Sequence, residues 1–119
     1  MALGKEAINL CALHELPDGE ARGFDPFQTG RDVLFVVRRG KKVTAFLNRC
    51  PHQGASLPYR KNAYLNAGRS RIVCSAHGAL FDIDTGKCLK GAALGHSLDP
   101  VDVVITHEDK VVAHLDAQI

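Results

Sequence analysis

Apolar and polar residues alternate in short runs along this chain, and glycine-containing segments separate the runs. Three runs lie in the first half: Ala7–Leu13, Asp32–Arg38 and Lys42–Leu47. The first and third mix apolar with polar residues, and the second is rich in valine, a residue typical of strands. Alternation with a period of two predicts β-strands, because successive side chains of a strand point to opposite faces. Only Arg39-Gly40-Lys41 separates the second run from the third, so we expect a β-hairpin there, after an earlier turn at 16–19.

The second half of the chain continues this pattern with five further runs. They are Arg71–Val73, Ala79–Ile83, Cys88–Lys90, Val101–Thr106 and Lys110–Leu115. Turns are expected at 84–87 (Asp-Thr-Gly-Lys) and at 107–109 (His-Glu-Asp). No window of a dozen residues has a helical period. The sequence therefore predicts an all-β fold of short antiparallel strands in small stacked sheets.

Length, composition and charge narrow the class of protein. The 119 residues favour a single domain over 1–119, and 45% hydrophobic with 24% charged residues is an ordinary globular balance. No apolar run could span a bilayer, and the first residues lack the pattern of a signal peptide, so we expect a cytoplasmic protein that binds no membrane. A formal charge of +2 is too weak to indicate nucleic-acid binding.

The chain has four cysteines: Cys11, Cys50, Cys74 and Cys88. In a cytoplasmic protein cysteines more often bind metals than form disulfides. Two stretches lack the strand pattern: 48–70, which contains Cys50, and 75–78, which directly follows Cys74. Loops on a rigid β scaffold often carry functional sites.

Each of these two stretches offers one thiolate and one imidazole. The first reads Cys50-Pro51-His52-Gln53-Gly54-Ala55, and the second reads Cys74-Ser75-Ala76-His77-Gly78. Thiolates suit iron–sulfur clusters and zinc, and imidazole suits iron and zinc. If the loops face each other, each can place its cysteine on one metal and its histidine on another. The glycines after the ligands, Gly54 and Gly78, allow the backbone to turn closely around such a site.

A zinc site is the alternative, because two cysteines and two histidines can also hold zinc in a closed tetrahedron. Zinc fingers usually pair cysteine with cysteine and histidine with histidine along the sequence. Both loops here mix the two residue types, which favours a two-metal cluster over a structural zinc module.

The loops and the segments after them resemble the Rieske iron–sulfur proteins over nearly the whole chain. Residues 77–82 are similar to the second ligand loop of that family, residues 84–88 to the following hairpin, and residues 91–104 to the third loop and the strand after it. The resemblance implies a Rieske domain with its two ligand loops at one tip. It also implies one [2Fe–2S] cluster, in which one iron binds two cysteines and the other two histidines. The implied ligands are Cys50, His52, Cys74 and His77.

Three alanines distinguish this chain from the high-potential members of the family. Ala55 and Ala76 occupy the positions of two cysteines that form a disulfide in those proteins, and Ala79 replaces a serine that donates a hydrogen bond to a cluster sulfide. Fewer hydrogen bonds to sulfur stabilise the reduced cluster less. We therefore expect a low-potential, ferredoxin-like centre, toward the lower end of the Rieske range of roughly −150 to +300 mV.

The interval between His52 and Cys74 holds 21 residues and is longer than is typical of Rieske ferredoxins. Its extra material, 57–65, is either a partner-docking element or a tolerated surface insertion. The interval and its border are also basic, with Arg60, Lys61, Arg69 and Arg71.

The other cysteines and histidines are expected to have no role in the chemistry. Cys11 and Cys88 are interpreted as small buried apolar residues, although a bridge between them stays open. Phe81 is expected to pack under the second ligand loop. Solvated positions at strand ends or turns are expected for His14, His107 and His114. His96 belongs to the third loop, where it is either polar surface or close to the cluster.

The resemblance implies an electron-transfer protein rather than an enzyme. We expect a ferredoxin that carries electrons from a flavoprotein reductase to a terminal oxygenase. The alternative is a small Rieske-like subunit of a larger reductase, of the nitrite reductase type. An oxygenase would need a further mononuclear iron site with two histidines and a carboxylate, for which the residues after 98 leave no room.

Overall fold

The computed structural model describes residues 6–51, 56–58, 60–76 and 78–115, which form two antiparallel β-sheets. A 3₁₀ helix at Leu13–Glu15 is the only helix among these residues. The predicted all-β fold is confirmed. The strands are β1 (Glu6–Ala12), β2 (Ala21–Phe24), β3 (Leu34–Arg39), β4 (Lys42–Leu47), β5 (Ile72–Cys74), β6 (Ala79–Phe81), β7 (Cys88–Lys90), β8 (Pro100–Ile105) and β9 (Lys110–Leu115).

The larger sheet has six strands in the order β1-β9-β8-β4-β3-β2. Two of its strand pairs are the hairpins that the sequence predicts. In the first, β3 and β4 pair from Leu34 with Leu47 to Arg39 with Lys42, and Gly40 turns the chain at a φ of +65°. In the second, β8 and β9 are joined by a turn in which the amide of Asp109 donates to the carbonyl of Thr106 at 3.0 Å.

Strand β3 lies between two hydrophobic clusters, which explains its unbroken apolar sequence. Leu34 and Val36 belong to one cluster, and Phe35 and Val37 to the other, with all four side chains at most 1% exposed. A strand that is covered on both faces has no need of alternating polar residues.

The first cluster, which we call the barrel core, gathers side chains from both edges of the larger sheet. Cys11 of β1 and Phe24 of β2 belong to it, although these are the two edge strands. The sheet is therefore strongly curved, so that one of its faces encloses the barrel core.

The second cluster, which we call the site core, joins the opposite face of the larger sheet to the three-stranded sheet β5-β6-β7. Phe35 and Phe46 meet there with a ring-centroid distance of 5.9 Å, and Ile72 and Phe81 come from the smaller sheet. Phe81 is fully buried one strand-length after the second ligand loop, as the sequence predicts.

Strand β2 was not predicted from the sequence. It has only four residues, Ala21-Arg22-Gly23-Phe24, and pairs as an edge strand with β3 alone. Glycine within a strand marks close approach of a neighbour. Two side chains lie this close to Gly23. A Cβ at this position would collide with the carboxylate of Asp32 and would lie 2.5 Å from the Tyr64 hydroxyl.

The interval between the ligand loops is not a simple surface insertion. Leu57 and Tyr64 are fully buried in the site core, and the ring of Tyr64 stacks on Phe35 with centroids 4.2 Å apart and an interplanar angle of 11°. The interpretation of 57–65 as a tolerated surface insertion is therefore wrong for these two residues. They extend the core from the central sheet toward the ligand loops.

Two smaller expectations are also decided. Cys11 and Cys88 lie in different core clusters as thiols, so no bridge joins them. His114 lies inside β9 and is half-buried, whereas His14 and His107 are exposed as expected.

Within the residues that the structure describes, no helix has the length and apolar character needed to cross a membrane.

Candidate metal centre

The first ligand loop follows β4, which ends at Leu47, and it is closed by the side chain of Asn48. Asn48 is the one buried polar residue in the described core, with 4% exposure. Its Oδ1 accepts a hydrogen bond from the amide of Leu57 at 2.9 Å, and its Nδ2 donates to Ser56 Oγ at 2.9 Å. One carboxamide therefore joins both ends of the loop that carries Cys50.

Asn48 is itself fixed to the central sheet. Its amide donates to the carbonyl of Val33 at 2.8 Å, and its Nδ2 also donates to the carbonyl of Asp32 at 3.1 Å. Buried polar groups need such partners, because an unpaired one costs about 1–3 kcal/mol. The loop thus starts from a rigid anchor, and Cys50 lies in it at 5% exposure.

The second ligand loop is the short connection between β5 and β6. Cys74 ends β5 and pairs with Ala79, which begins β6. The amide of Gly78 donates to the carbonyl of Cys74 at 2.8 Å, and Gly78 has a φ of +72°, a conformation that favours glycine. Gly78 therefore turns the backbone directly after the second loop.

One backbone hydrogen bond connects the two loops. The amide of Ser75 donates to the carbonyl of Leu57 at 2.8 Å. Since Leu57 also bonds to Asn48, the chain of contacts runs from the central sheet through the end of the first loop to the start of the second. Cys50 and Cys74 accordingly belong to the same cluster of buried side chains, the site core.

The third loop packs against the start of β6. Gly91 has a φ of +108°, and a Cβ at this position would lie 2.8 Å from the Cα of Ala79. Ala93 is fully buried in the site core, while Leu94 is 60% exposed. The side chain of His96 is also exposed, and its backbone carbonyl accepts from the amide of Cys88 at 3.0 Å.

The structure brings together two of the four predicted ligands. Cys50 and Cys74 are 5% and 1% exposed and are thiols. The other two, His52 and His77, lie outside the described residues, as do Gly54 and Ala55. Among the described residues alone, no three histidine, cysteine or carboxylate side chains come together as a metal site. Two buried thiols, both predicted as ligands, therefore lie in one apolar cluster, two and three positions in sequence before a histidine.

The remaining two cysteines are also buried, one in each core cluster. Burial raises the pKa of the Cys11 thiol, with a smaller opposing effect of Arg22, which favours the neutral thiol in the barrel core. Cys88 is 2% exposed in the site core, and its Sγ donates to the carbonyl of Lys90 at 3.4 Å. Both behave as the buried apolar residues that the sequence predicts.

The sequence did not identify the residues that support the loops. Asn48 carries no local signal of burial, because asparagine at a strand end is usually solvated. Tyr64 has a buried hydroxyl that donates to Asp32 Oδ2 at 3.3 Å, and burial followed by the charge of Asp32 raises its pKa above the usual range. Only the folded neighbourhood shows that these two side chains hold the interval in place.

Comparisons with known proteins agree with this geometry. The family model of the Rieske [2Fe-2S] domain matches residues 6–113. A search of curated proteins gives no match.

Three solved structures illustrate the likeness. The ferredoxin of carbazole 1,9a-dioxygenase from Nocardioides aromaticivorans IC177 has 26% identity and a TM-score of 0.71, with 92% of this chain and 97% of that chain covered. A chain in the complex of reduced oxygenase and oxidised ferredoxin of carbazole 1,9a-dioxygenase has 24% identity and a TM-score of 0.70, with 92% and 94% covered. The terminal oxygenase of carbazole 1,9a-dioxygenase from Novosphingobium sp. KA1 has 21% identity and a TM-score of 0.67, with 98% of this chain but 32% of that chain covered.

Proposed function

The chain belongs to the Rieske [2Fe–2S] domain family, and we propose that it works as a ferredoxin that carries single electrons from a flavoprotein reductase to a terminal oxygenase. The protein carries one [2Fe–2S] cluster and is an electron carrier. The observation that supports the ferredoxin role is the match to a ferredoxin, which is covered over 97% of its length at 26% identity.

The proposed ligands of the cluster are Cys50, His52, Cys74 and His77. The structure describes two of these residues, Cys50 and Cys74, and both fit an iron–sulfur cluster. They are buried thiols in one apolar cluster of side chains, and thiolates are the ligands that iron–sulfur clusters require. When bound, the cluster supplies reversible one-electron chemistry. The chain contributes the ligands, an apolar wall that excludes water, and the hydrogen-bonded loops that hold both cysteines at one end of the site core.

The proposed partners follow from the ferredoxin role. In the carbazole 1,9a-dioxygenase system, a solved structure contains reduced oxygenase with oxidised ferredoxin. By analogy, this chain would accept electrons from a reductase and deliver them to an oxygenase, as one component of an oxidoreductase system. We also propose that residues 1–119 form one domain, which the family match over 6–113 supports. A cytoplasmic location is proposed on the four thiols, since thiols persist in reducing compartments.

The experiment that tests this function is low-temperature EPR of the purified protein after reduction with dithionite, together with iron, sulfide and zinc analysis. We expect two irons per chain and a rhombic S = 1/2 signal with the low average g value of mixed cysteine and histidine ligation. A colourless protein without an EPR signal and with bound zinc would overturn the proposal in favour of a structural zinc module.

A second measurement separates a ferredoxin from a fixed subunit. A tagged chain purified from its own cells should exchange rapidly between partners and elute alone on gel filtration. Co-elution in constant ratio with a larger reductase would instead assign it as a small Rieske-like subunit.

A further inference from the structure

Asp32 lies just before strand β3 and carries a carboxylate that is nearly buried. Its side chain is only 11% exposed, although aspartate is seldom buried unless it has partners. The carboxylate lies beside Gly23 of β2, where an added Cβ would collide with it. Such a carboxylate needs hydrogen bonds or opposite charge to replace its lost hydration. The sequence places Asp32 at the start of an apolar run and gives no sign of these partners.

Two residues of the interval between the ligand loops supply the partners. Lys61 Nζ lies 2.9 Å from Oδ1 and 3.2 Å from Oδ2 of Asp32, and the Tyr64 hydroxyl donates to Oδ2 at 3.3 Å. The Lys61 side chain is 66% exposed, so solvent screens its ion pair. Tyr64 is fully buried, so water competes much less for its hydrogen bond. The Tyr64 hydroxyl is therefore the more specific attachment of the interval to Asp32.

Hydrogen bonds lead from Asp32 to both ligand loops. The carboxylate is connected to the second loop through Tyr64, whose carbonyl accepts at 2.9 Å from the amide of Val73 in β5, the strand that ends at this loop. The backbone carbonyl of Asp32 accepts from Nδ2 of Asn48, the residue that closes the first loop. Asp32 is therefore the residue at which the supports of the two loops meet.

We propose that Asp32 is a positioning residue of the metal centre, whose carboxylate fixes the placement of the two ligand loops relative to each other. The inference rests on the proposed electron-carrier function, and Asp32 acts through Tyr64 and Asn48 rather than by contact with the cluster. A cluster whose ligands come from two loops requires a fixed separation of those loops. Because Ala55 and Ala76 leave the loops without a disulfide, the hydrogen bonds that meet at Asp32 must supply part of this constraint.

Hydrogen exchange of the metal-bound protein as purified, followed by mass spectrometry with fragmentation to single amides, tests the positioning. In Asp32→Ala, the amides of Leu57 and Val73, which belong to the supports of the first and second loops, should exchange about tenfold faster. The physical reason is more frequent local opening of the interval. The amide of Thr106, in the β8–β9 hairpin, should exchange as in the native chain.

Two properties of the cluster give a readout that global stability does not determine. Under native conditions, Asp32→Ala should release iron to a chelator about tenfold faster and should shift the g values of the EPR signal, because the ligand geometry changes. Val36→Ala removes buried methyl groups from the barrel core and is the control for loss of stability. Asp84→Ala removes an exposed carboxylate that also has two basic partners. Both controls should keep the native iron release and g values.

Two further variants separate the hydrogen bond from the charge. Asp32→Asn keeps an oxygen that can accept from Tyr64 but removes the charge, so its amide exchange and iron release should be closer to those of the native chain than to those of Asp32→Ala. Tyr64→Phe removes only the donor, so it should accelerate exchange at Val73 and leave Leu57 nearly unchanged. If Asp32→Ala does not fold, native exchange at Val73 in Tyr64→Phe would overturn the proposal.

The outcomes distinguish this inference from the ferredoxin proposal. Equal changes in Asp32→Ala and Val36→Ala, or native exchange and iron release in Asp32→Ala, would overturn the positioning role and leave electron transfer intact. Absence of reducible iron would overturn the ferredoxin function, and the exchange of the Leu57 and Val73 amides would still decide the role of Asp32.

Discussion

At the scale of single residues, burial does not distinguish the proposed cysteine ligands from the other cysteines. All four are at most 8% exposed. What separates Cys50 and Cys74 is their place at loops beside histidines, whereas Cys11 packs in the barrel core and Cys88 donates to a carbonyl within its own strand. A buried cysteine is otherwise an ordinary apolar residue.

Substitution of the cysteines tests this distinction. Serine at Cys50 or Cys74 should remove a cluster ligand, so the purified variant should lose most of its iron and its EPR signal. Alanine at Cys11 should retain both, because that thiol lies in the barrel core, in a different cluster from Cys50 and Cys74. Iron analysis and EPR of the reduced proteins measure the effect. Loss of iron from a folded Cys11→Ala variant would contradict the assignment.

Ala79 bears on the reduction potential. It is 2% exposed and pairs directly with Cys74, at the position where a serine would add a hydrogen bond to a cluster sulfide. Since such bonds stabilise the reduced state, Ala79→Ser should raise the midpoint potential, and the native protein should lie in the lower part of the range of roughly −150 to +300 mV. Ala76→Ser, at an exposed position of the same loop, is the control and should leave the potential nearly unchanged. Voltammetry that finds a native potential near the upper limit would contradict the expectation.

At the scale of elements, the ligand loops are short and lack disulfides, so hydrogen bonds from neighbouring segments must hold them. Asn48 closes the first loop, Ser75 joins the second loop to Leu57, and Gly91 brings the third loop against β6. Each of these contacts connects segments that are not adjacent in sequence.

The Asn48 contact can be tested by stability and iron content together. Asn48→Ala leaves the Leu57 amide without its acceptor in a buried position, which should lower the free energy of unfolding by about 1–3 kcal/mol and release iron more readily. Asn66→Ala is the matched control. The Oδ1 of Asn66, like that of Asn48, accepts hydrogen bonds from the backbone, but its two donor amides lie in an exposed turn. Urea unfolding should show a smaller loss for the control. Equal losses would mean that Asn48 has no special role.

A comparison of alanine substitutions at Gly91 and Gly95 separates the effect of backbone strain from the effect of a steric clash. Both have positive φ, +108° and +90°, so alanine at either costs about 1–3 kcal/mol of strain. Only at Gly91 does the added Cβ meet another segment, at 2.8 Å from the Cα of Ala79. Gly91→Ala should therefore be less stable than Gly95→Ala in urea unfolding and should also retain less iron. The same result for both variants would show that the third loop does not press on β6.

At the scale of the whole molecule, the two faces of the central strands β3 and β4 are used differently. One face encloses the barrel core, and the other packs against the site core, to which Cys50 and Cys74 belong. Tyr64 connects the interval between the loops to this second face by its stack on Phe35. The interval is therefore part of the support of the site.

Two variants of Tyr64 measure how strongly the interval is attached. Tyr64→Ala removes a fully buried ring and should lower the free energy of unfolding by about 3–5 kcal/mol. Tyr64→Phe keeps the stack and loses only the 3.3 Å hydrogen bond to Asp32, so it should cost about 1 kcal/mol. Thermal unfolding followed by circular dichroism gives both values. A small effect of alanine would mean that the interval packs loosely.

The distribution of charge also belongs to this scale. Carboxylates lie only before residue 33 and after residue 81 of the sequence, and the fold places two arginines of the central basic stretch, Arg60 and Arg69, in a groove beside Ser75 and Gly78. The formal net charge of +2 alone gave no indication of such a concentrated basic surface.

The sequence by itself determined the local features of this protein. The hairpins β3–β4 and β8–β9 were predicted because their strands are neighbours in sequence and their turn residues are explicit, as in Gly40 with its positive φ. The spacing of cysteine and histidine in two loops was also readable, because ligand type and spacing are local properties.

Only the tertiary structure decided the rest. Strand β1 pairs with β9 from the far end of the sequence. Strand β2 forms through its pairing with the edge of β3. Asn48 and Tyr64 became supports of the site because folding surrounded them with partners distant in sequence. Pairing and burial of this kind depend on which segments meet, and local alternation carries no information about that choice.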